Sequence, residues 1–184
     1  MAFNDVIIQN LYLLTLIGDI IIIAILLILF LVNMFFPKKI NLFKNKFVIL
    51  IQKKALLFAW IVSLLAVLGS LFFSNVVGYV PCTLCWYQRI FMYPLVIILG
   101  IAYFTKDVSI RKYLIPISIV GGLFSIYHYF VQMSENVSSL ATCTVGEGAS
   151  CGVKYAVHFG YITIPIMALT AFVLIIIFLD NAKK

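Results

Sequence analysis

Long apolar runs dominate the chain, separated by short clusters of charged and turn-forming residues. Five runs can be drawn, over 13–36, 55–73, 90–104, 114–131 and 161–179. Most approach the roughly 20 residues that an α-helix needs to cross a bilayer. The third is the shortest. It becomes long enough if its helix begins just after Cys85, so that Trp86 and Tyr87 form an interfacial aromatic belt. The first run does not read as a signal peptide. Asp5 is the only charge before it, no small-residue cleavage site follows, and Pro37-Lys38-Lys39 ends it as a stop-transfer signal would. It is expected to stay in the mature protein.

Composition agrees with lipid as the main solvent. A chain of 184 residues that is 65% hydrophobic and 10% charged has more apolar surface than one small soluble core can hide. A net charge of +7 raises the question of nucleic acid, but the positive residues sit in short loops between apolar runs and do not line a polar domain. Their placement sets an orientation instead, because cytoplasmic loops carry the excess of Lys and Arg. Lys38, Lys39, Lys44, Lys46, Lys53 and Lys54 follow the first helix; Lys106, Arg111 and Lys112 follow the third; Lys183 and Lys184 end the chain. Of the 13 positive residues only Arg89 and Lys154 fall on the other side. The N-terminus is therefore expected outside and the C-terminus in the cytoplasm, with all four cysteines facing outward. The chain shows no internal repeat, no low-complexity linker and no second domain. Aqueous chemistry is confined to two outer loops, about 74–87 and 132–160. The second is rich in Ser, Thr and Gly, a composition that favours a mobile loop.

Cys82-Thr83-Leu84-Cys85 is a CxxC, a spacing shared by redox, zinc and haem-attachment sites. Trp86 stands where a c-type haem would need His, which removes that option. Cys82, Cys85, Cys143 and Cys151 could supply four zinc ligands. The Cys143-to-Cys151 spacing fits no common zinc knuckle, however, and an outward compartment oxidises thiols, so no metal is expected. Two purely structural disulfides are a stronger alternative. Position argues against them: Pro81-Cys82 leads into the third helix, which puts Cys85 in or beside its first turn. Unpaired N–H groups and the helix dipole stabilise a thiolate there, and the thiolate is the attacking species in thiol–disulfide exchange. Arg89, one helical turn after Cys85, adds a permanent positive charge on the same face. The plainer reading of Arg89 is a side chain that snorkels to the headgroups.

The run Pro81-Cys82-Thr83-Leu84-Cys85-Trp86-Tyr87-Gln88-Arg89 resembles the signature of the DsbB family of disulfide bond formation proteins. A second run, His158-Phe159-Gly160-Tyr161-Ile162-Thr163-Ile164-Pro165, is similar to the matching segment of the BdbC branch of that family. With helix order and cysteine order, the resemblance covers residues 54–184. It implies an all-α fold: a polytopic membrane protein with a four-helix transmembrane bundle and two outer cysteine loops. This chain departs by one additional N-terminal transmembrane helix, so it divides into 1–53, that helix and its basic cytoplasmic loop, and 54–184, the DsbB-like domain. A place in the bacterial cytoplasmic (inner) membrane follows from the same resemblance.

The resemblance also implies a mechanism, thiol:quinone oxidoreduction. Cys82 and Cys85 form the quinone-proximal disulfide, Cys85 engages the quinone and Arg89 supports it electrostatically. Cys143 and Cys151 form the second disulfide, with Cys143 attacked by an extracytoplasmic DsbA/BdbD-like thioredoxin-fold protein. The acceptor is a membrane quinone, ubiquinone or menaquinone, which is oxidising enough to drive a strongly oxidising partner. Trp86, Tyr87 and Tyr93 could contact its ring, although Trp and Tyr are enriched at membrane interfaces in any case. His128, between Tyr127 and Tyr129, could relay a proton to the reduced quinone or bond its carbonyl; otherwise it bonds a neighbouring helix. Asp19 reads as an interfacial helix start, His158 as a solvated loop residue, and Asn136-Val137-Ser138 as a weak sequon with no assigned function.

Three other readings compete. An enzyme similar to vitamin K epoxide reductase also couples four cysteines to a quinone, but its active CxxC follows the loop pair, whereas here the CxxC comes first. A non-catalytic membrane protein would use its disulfides only as staples. A transporter would need more intramembrane charge and discontinuous helices; Pro94 and Pro165 could break helices, but neither has a charged partner.

Overall fold

Each apolar run becomes a helix, because a backbone passing through lipid must satisfy its own N–H and C=O groups. The computed structural model describes residues 2–35, 54–134, 151–152 and 161–182. Its helices are α1 (Ala2–Phe35), α2 (Ala55–Leu71), α3 (Thr83–Thr105), α4 (Arg111–Met133) and α5 (Ile164–Asn181), with a π-helical turn, Phe72–Val76, continuing α2. Ala55–Val76, Thr83–Thr105, Arg111–Met133 and Ile164–Asn181 are long and apolar enough to cross a membrane, and Val6–Ile22 of α1 is a shorter apolar helix. The protein is an all-α multi-pass membrane bundle of four long helices with an added N-terminal helix.

Some details depart from the sequence expectation. The third membrane helix begins at Thr83, before Cys85 rather than after it, because Cys82 acts as its N-cap. The Cys82 backbone is extended, with φ −77° and ψ 173°, and its Sγ accepts the Cys85 N–H at 3.4 Å, as a Ser or Asp oxygen would elsewhere. Pro94 does not interrupt α3, and Pro165 occupies the first turn of α5, where a missing N–H costs nothing. Asp19 is not at a helix start: it lies within α1 and hydrogen-bonds to α5.

In the bundle α2 packs on α3 and α5, and α4 packs on α3 and α5, which closes a ring of four; α1 packs on α5 from outside the ring. The core is Leu95, Leu99, Leu114, Phe172, Ile175 and Leu179. Ile97, Ile101, Phe104, Leu123 and Phe130 point outward and are exposed, a surface suited to lipid. With apolar groups on both sides, cohesion comes from close approach of small residues and from internal hydrogen bonds. Ser118 and Ser125 donate to the carbonyls of Leu114 and Gly121 at 2.9 and 3.0 Å. Arg111 Nη1 joins the start of α4 to the end of α5 by donating to the Asp180 and Ala182 carbonyls at 3.1 and 3.0 Å.

Gly121 is a close approach between α4 and α5, since a Cβ there would overlap the fully buried Phe172 ring. Gly121→Ala is expected to destabilise the bundle by about 1–3 kcal/mol, the cost of overpacking a fixed core. At the adjacent Gly122 a Cβ would meet Leu169 Cδ1 at 3.7 Å, an ordinary contact. Gly122→Ala should therefore be neutral or stabilising, since Ala favours a helix interior by roughly 0.5–1 kcal/mol. Thermal unfolding of both variants in detergent checks this; equal midpoints would contradict it.

Candidate functional site

Three elements converge where α3 begins. Cys82 and Cys85 are thiols in this structure, and the Cys82 S–H donates to Cys85 Sγ at 3.2 Å. From α4, the buried His128 ring places Nε2 3.5 Å from Cys82 Sγ. Its Nδ1 lies 3.1 Å from Nε2 of Gln88, a buried amide one turn after Cys85 on α3. An amide nitrogen donating to Nδ1 leaves the ring hydrogen on Nε2; an amide turned to offer oxygen leaves Nε2 free to accept. Gln88 thus decides which role His128 plays toward the sulfur. The Cys82 thiol is pushed up to about 12, first by the hydrogen bond it gives Cys85 and then by burial, with the nearby His128 opposing both. Cys82 therefore holds its proton through the physiological range.

Cys151 comes from the segment between α4 and α5. It is 1% exposed and packs in one buried cluster with Cys82, Leu84 and Val131, against which Cys85 and Phe124 also lie. A cysteine 69 positions after Cys82 in the chain is thus brought to the CxxC. Cys143, His158 and Asn136-Val137-Ser138 lie outside the described residues.

On the other side of the pair, Cys85 lines a cavity of about 280 Å³ between α1, α2, α3 and α5. Ser70, Ser74, Gln88, Arg89 and Tyr93 contribute polar groups to its wall, as do Thr15, Tyr79 and Thr170, and most of the remaining wall is aliphatic or aromatic. Arg89 does not simply snorkel outward: Nε donates to Ser70 Oγ at 3.0 Å and Nη2 to the Ser70 carbonyl at 3.2 Å. Tyr93 Oη lies 3.4 Å from the same Ser70 Oγ.

The residues singled out in the sequence therefore separate into groups. Cys85, Arg89 and Tyr93 share the cavity wall. Trp86 is exposed and lies under the guanidinium of Arg89, whose Cζ is 5.3 Å from the ring centroid; it is not part of the wall. His128 flanks Cys82 instead of the cavity. Tyr87 leans on Phe124 with ring centroids 5.2 Å apart. Sequence reasoning missed Gln88 and Ser70, although an amide inside an apolar run, three residues after a redox cysteine, is a legible signal. The donor atoms of Cys82, Cys85 and His128 lie within 4.8 Å of one another, a set that could also take a soft cation such as Zn²⁺. The zinc set considered from sequence used four cysteines and not this histidine.

A family model described as "Disulfide bond formation protein DsbB" matches residues 52–179. The chain is 50% identical to "Disulfide bond formation protein C" of Bacillus subtilis over 125 residues, covering 68% of this chain and 89% of that one. It is 42% identical to a "Probable disulfide formation protein" of Deinococcus radiodurans (68% and 86% covered). A Coxiella burnetii protein of the same description is 40% identical (72% and 90% covered). No solved structure matches the chain. Clustered cysteines at the mouth of a membrane bundle, the family match and these relatives together show that the chain belongs to the DsbB family of disulfide bond formation proteins and acts as a membrane disulfide oxidoreductase.

Proposed function

We propose that the protein is a thiol:quinone oxidoreductase that reoxidises an extracytoplasmic thioredoxin-fold dithiol protein of the DsbA/BdbD kind and delivers the electrons to a membrane quinone. The observation that supports this best is the position of the CxxC between two environments. Cys82 packs with Cys151 of the outer loop, while Cys85 faces an apolar cavity that also holds Arg89.

Electron flow balances as two exchanges and one oxidation. The partner's dithiol attacks the Cys143–Cys151 disulfide at Cys143, becomes a disulfide itself and leaves Cys143 and Cys151 as thiols. That dithiol reduces the Cys82–Cys85 disulfide in turn, and the close packing of Cys151 with Cys82 supports exchange between these two sulfurs. The Cys82–Cys85 dithiol then gives up two electrons and two protons. A bound quinone, ubiquinone or menaquinone, supplies the acceptor for both and leaves as quinol.

The cavity fits such a molecule, with donors at one end for a ring oxygen and hydrocarbon walls for an isoprenoid tail. Arg89 and Tyr93 would hold the ring end, with Ser70 fixing the guanidinium. Trp86 would act through Arg89, and His128 through Cys82. The lysine distribution supports an N-terminus outside and cysteine loops facing the exterior of the bacterial cytoplasmic membrane.

Anaerobic mixing of the purified protein with quinone and a reduced CxxC partner, followed by quinone absorbance, tests the proposal. Quinone loss is expected with wild type, and its absence while all four cysteines stay oxidised would leave only structural disulfides. In the same assay Arg89→Ala should lower quinone reduction roughly 10- to 100-fold, the worth of a charge-assisted hydrogen bond of about 1.5–3 kcal/mol. Unchanged kinetics in Arg89→Ala would remove Arg89 from the site.

A further inference from the structure

We infer that α1 is the fourth wall of the acceptor cavity, beside α2, α3 and α5, and grips the hydrocarbon tail of the quinone, so that the N-terminal helix tunes how tightly long-tailed quinones bind. This rests on the quinone reading above and adds to it a binding element that lies before the family match, which begins at residue 52.

Leu11, Leu14, Ile17 and Ile21 of α1 line the cavity that Cys85 and Arg89 head. Leu11 stands at the cysteine end, its methyl carbons 3.6 and 3.9 Å from where a Cβ on Gly69 would be, beside the Ser70 that holds Arg89. Farther along α1, Gly18 meets α5: a Cβ there would lie 2.9 Å from Thr170 Cγ2 and 3.5 Å from Leu174 Cδ1. From Leu11 to Ile21 the helix advances about 15 Å. That reach follows a chain and exceeds a single ring. The hydroxyls on this stretch are already engaged, Thr15 with the Leu11 carbonyl and Thr170 with Asp19, so the wall beside Ile17 and Ile21 offers mainly hydrocarbon.

The contact between α1 and the bundle is built and not incidental. Asp19 Oδ1 accepts the Thr170 hydroxyl at 2.5 Å, and Oδ2 accepts from Tyr161 Oη at 3.4 Å. A carboxylate inside an apolar helix is expensive in lipid unless a partner meets it. Here it meets two from α5 and its approach, and it fixes the rotation of α1 that turns Leu14 and Ile21 toward the cavity.

Two measurements on the full-length protein in lipid nanodiscs test the inference. In the first, a quinone with a photoreactive azide on its isoprenoid tail is cross-linked to wild-type protein and the labelled peptide is identified by mass spectrometry. Label within residues 11–21 is expected; label confined to α2, α3 and α5 overturns the inference. In the second, Leu14→Trp and Ile21→Trp place bulk in the tail path. Affinity should fall about tenfold for a long-tailed quinone and stay within about twofold for one bearing a single isoprenoid unit with the same ring. Leu13→Trp, on the same helix but off the cavity wall, controls for folding and should bind both as wild type does. Equal affinities in all three variants overturn the role of α1 while leaving the quinone reading intact. Wild-type protein that binds neither quinone removes the quinone reading itself, and the inference with it.

Discussion

Cys85→Ser is expected to bring quinone reduction down to the uncatalysed level while the protein remains folded. Among the described residues Cys85 is the one cysteine on the cavity wall; Cys82 is 3% exposed and faces His128. A hydroxyl in place of the Cys85 sulfur can neither form a disulfide nor act as a thiolate at neutral pH, so the proposed route from Cys143 and Cys151 to the quinone ends there. Electrons should still arrive from the partner. With Cys143 and Cys151 intact, one equivalent of partner dithiol is expected to be oxidised per protein, after which turnover stops. Stopped-flow absorbance of the quinone, with thiol counting on the partner, separates these two events. Steady quinone reduction by Cys85→Ser would show that another sulfur faces the acceptor.

The second large effect is expected at His128. Re-forming the Cys82–Cys85 disulfide requires both thiol protons to leave, and the Cys82 proton is the harder one, with its thiol raised to about 12. Cys82 is therefore protonated below that value and becomes a thiolate only as pH rises through it. His128 Nε2, 3.5 Å from the sulfur, is the imidazole within reach, and it is free to accept when Gln88 offers its amide oxygen to Nδ1–H. His128→Ala should slow quinone reduction at neutral pH by about 10²-fold, the lower end of what a positioned base contributes. The pH profile supplies the second readout. Without the imidazole the rate should climb about tenfold per pH unit from about pH 6 to about 9, following the thiolate fraction. Wild type should rise less steeply. Gln88→Leu, which removes the tautomer-setting partner, should lie between the two in both rate and slope. Parallel pH profiles for wild type and His128→Ala would show that His128 is a packing residue.

Much of the architecture could be read from one dimension. An apolar run long enough to cross a bilayer has few alternatives to a helix, so the five helices among the described residues were legible, with boundary errors where the ends depend on local chemistry. The start of α3 is the clearest such error: Cys82 looks like a loop residue until its sulfur is seen capping the Cys85 N–H. Arg89 was legible as a partner of Cys85 because helical spacing puts both on one face. Its anchorage to Ser70 was not, because Ser70 lies 19 residues earlier on a different helix.

Sequence by itself determined the solvent, the helical class, the CxxC at a helix start and the resemblance to a redox family, because these depend on composition, on periodicity and on residues within one turn of each other. Tertiary structure decided which side of the CxxC faces what. It set His128 and Cys151 against Cys82, opened the Cys85 side to an apolar cavity, moved Asp19 from an expected helix start to a contact with Thr170, and turned α1 into part of the wall. Those relations join residues 40 or more positions apart. In lipid their geometry is set by small-residue contacts such as Gly18 on Thr170 and Gly121 on Phe172, where helices approach closely, and no local pattern encodes which helix will be the neighbour.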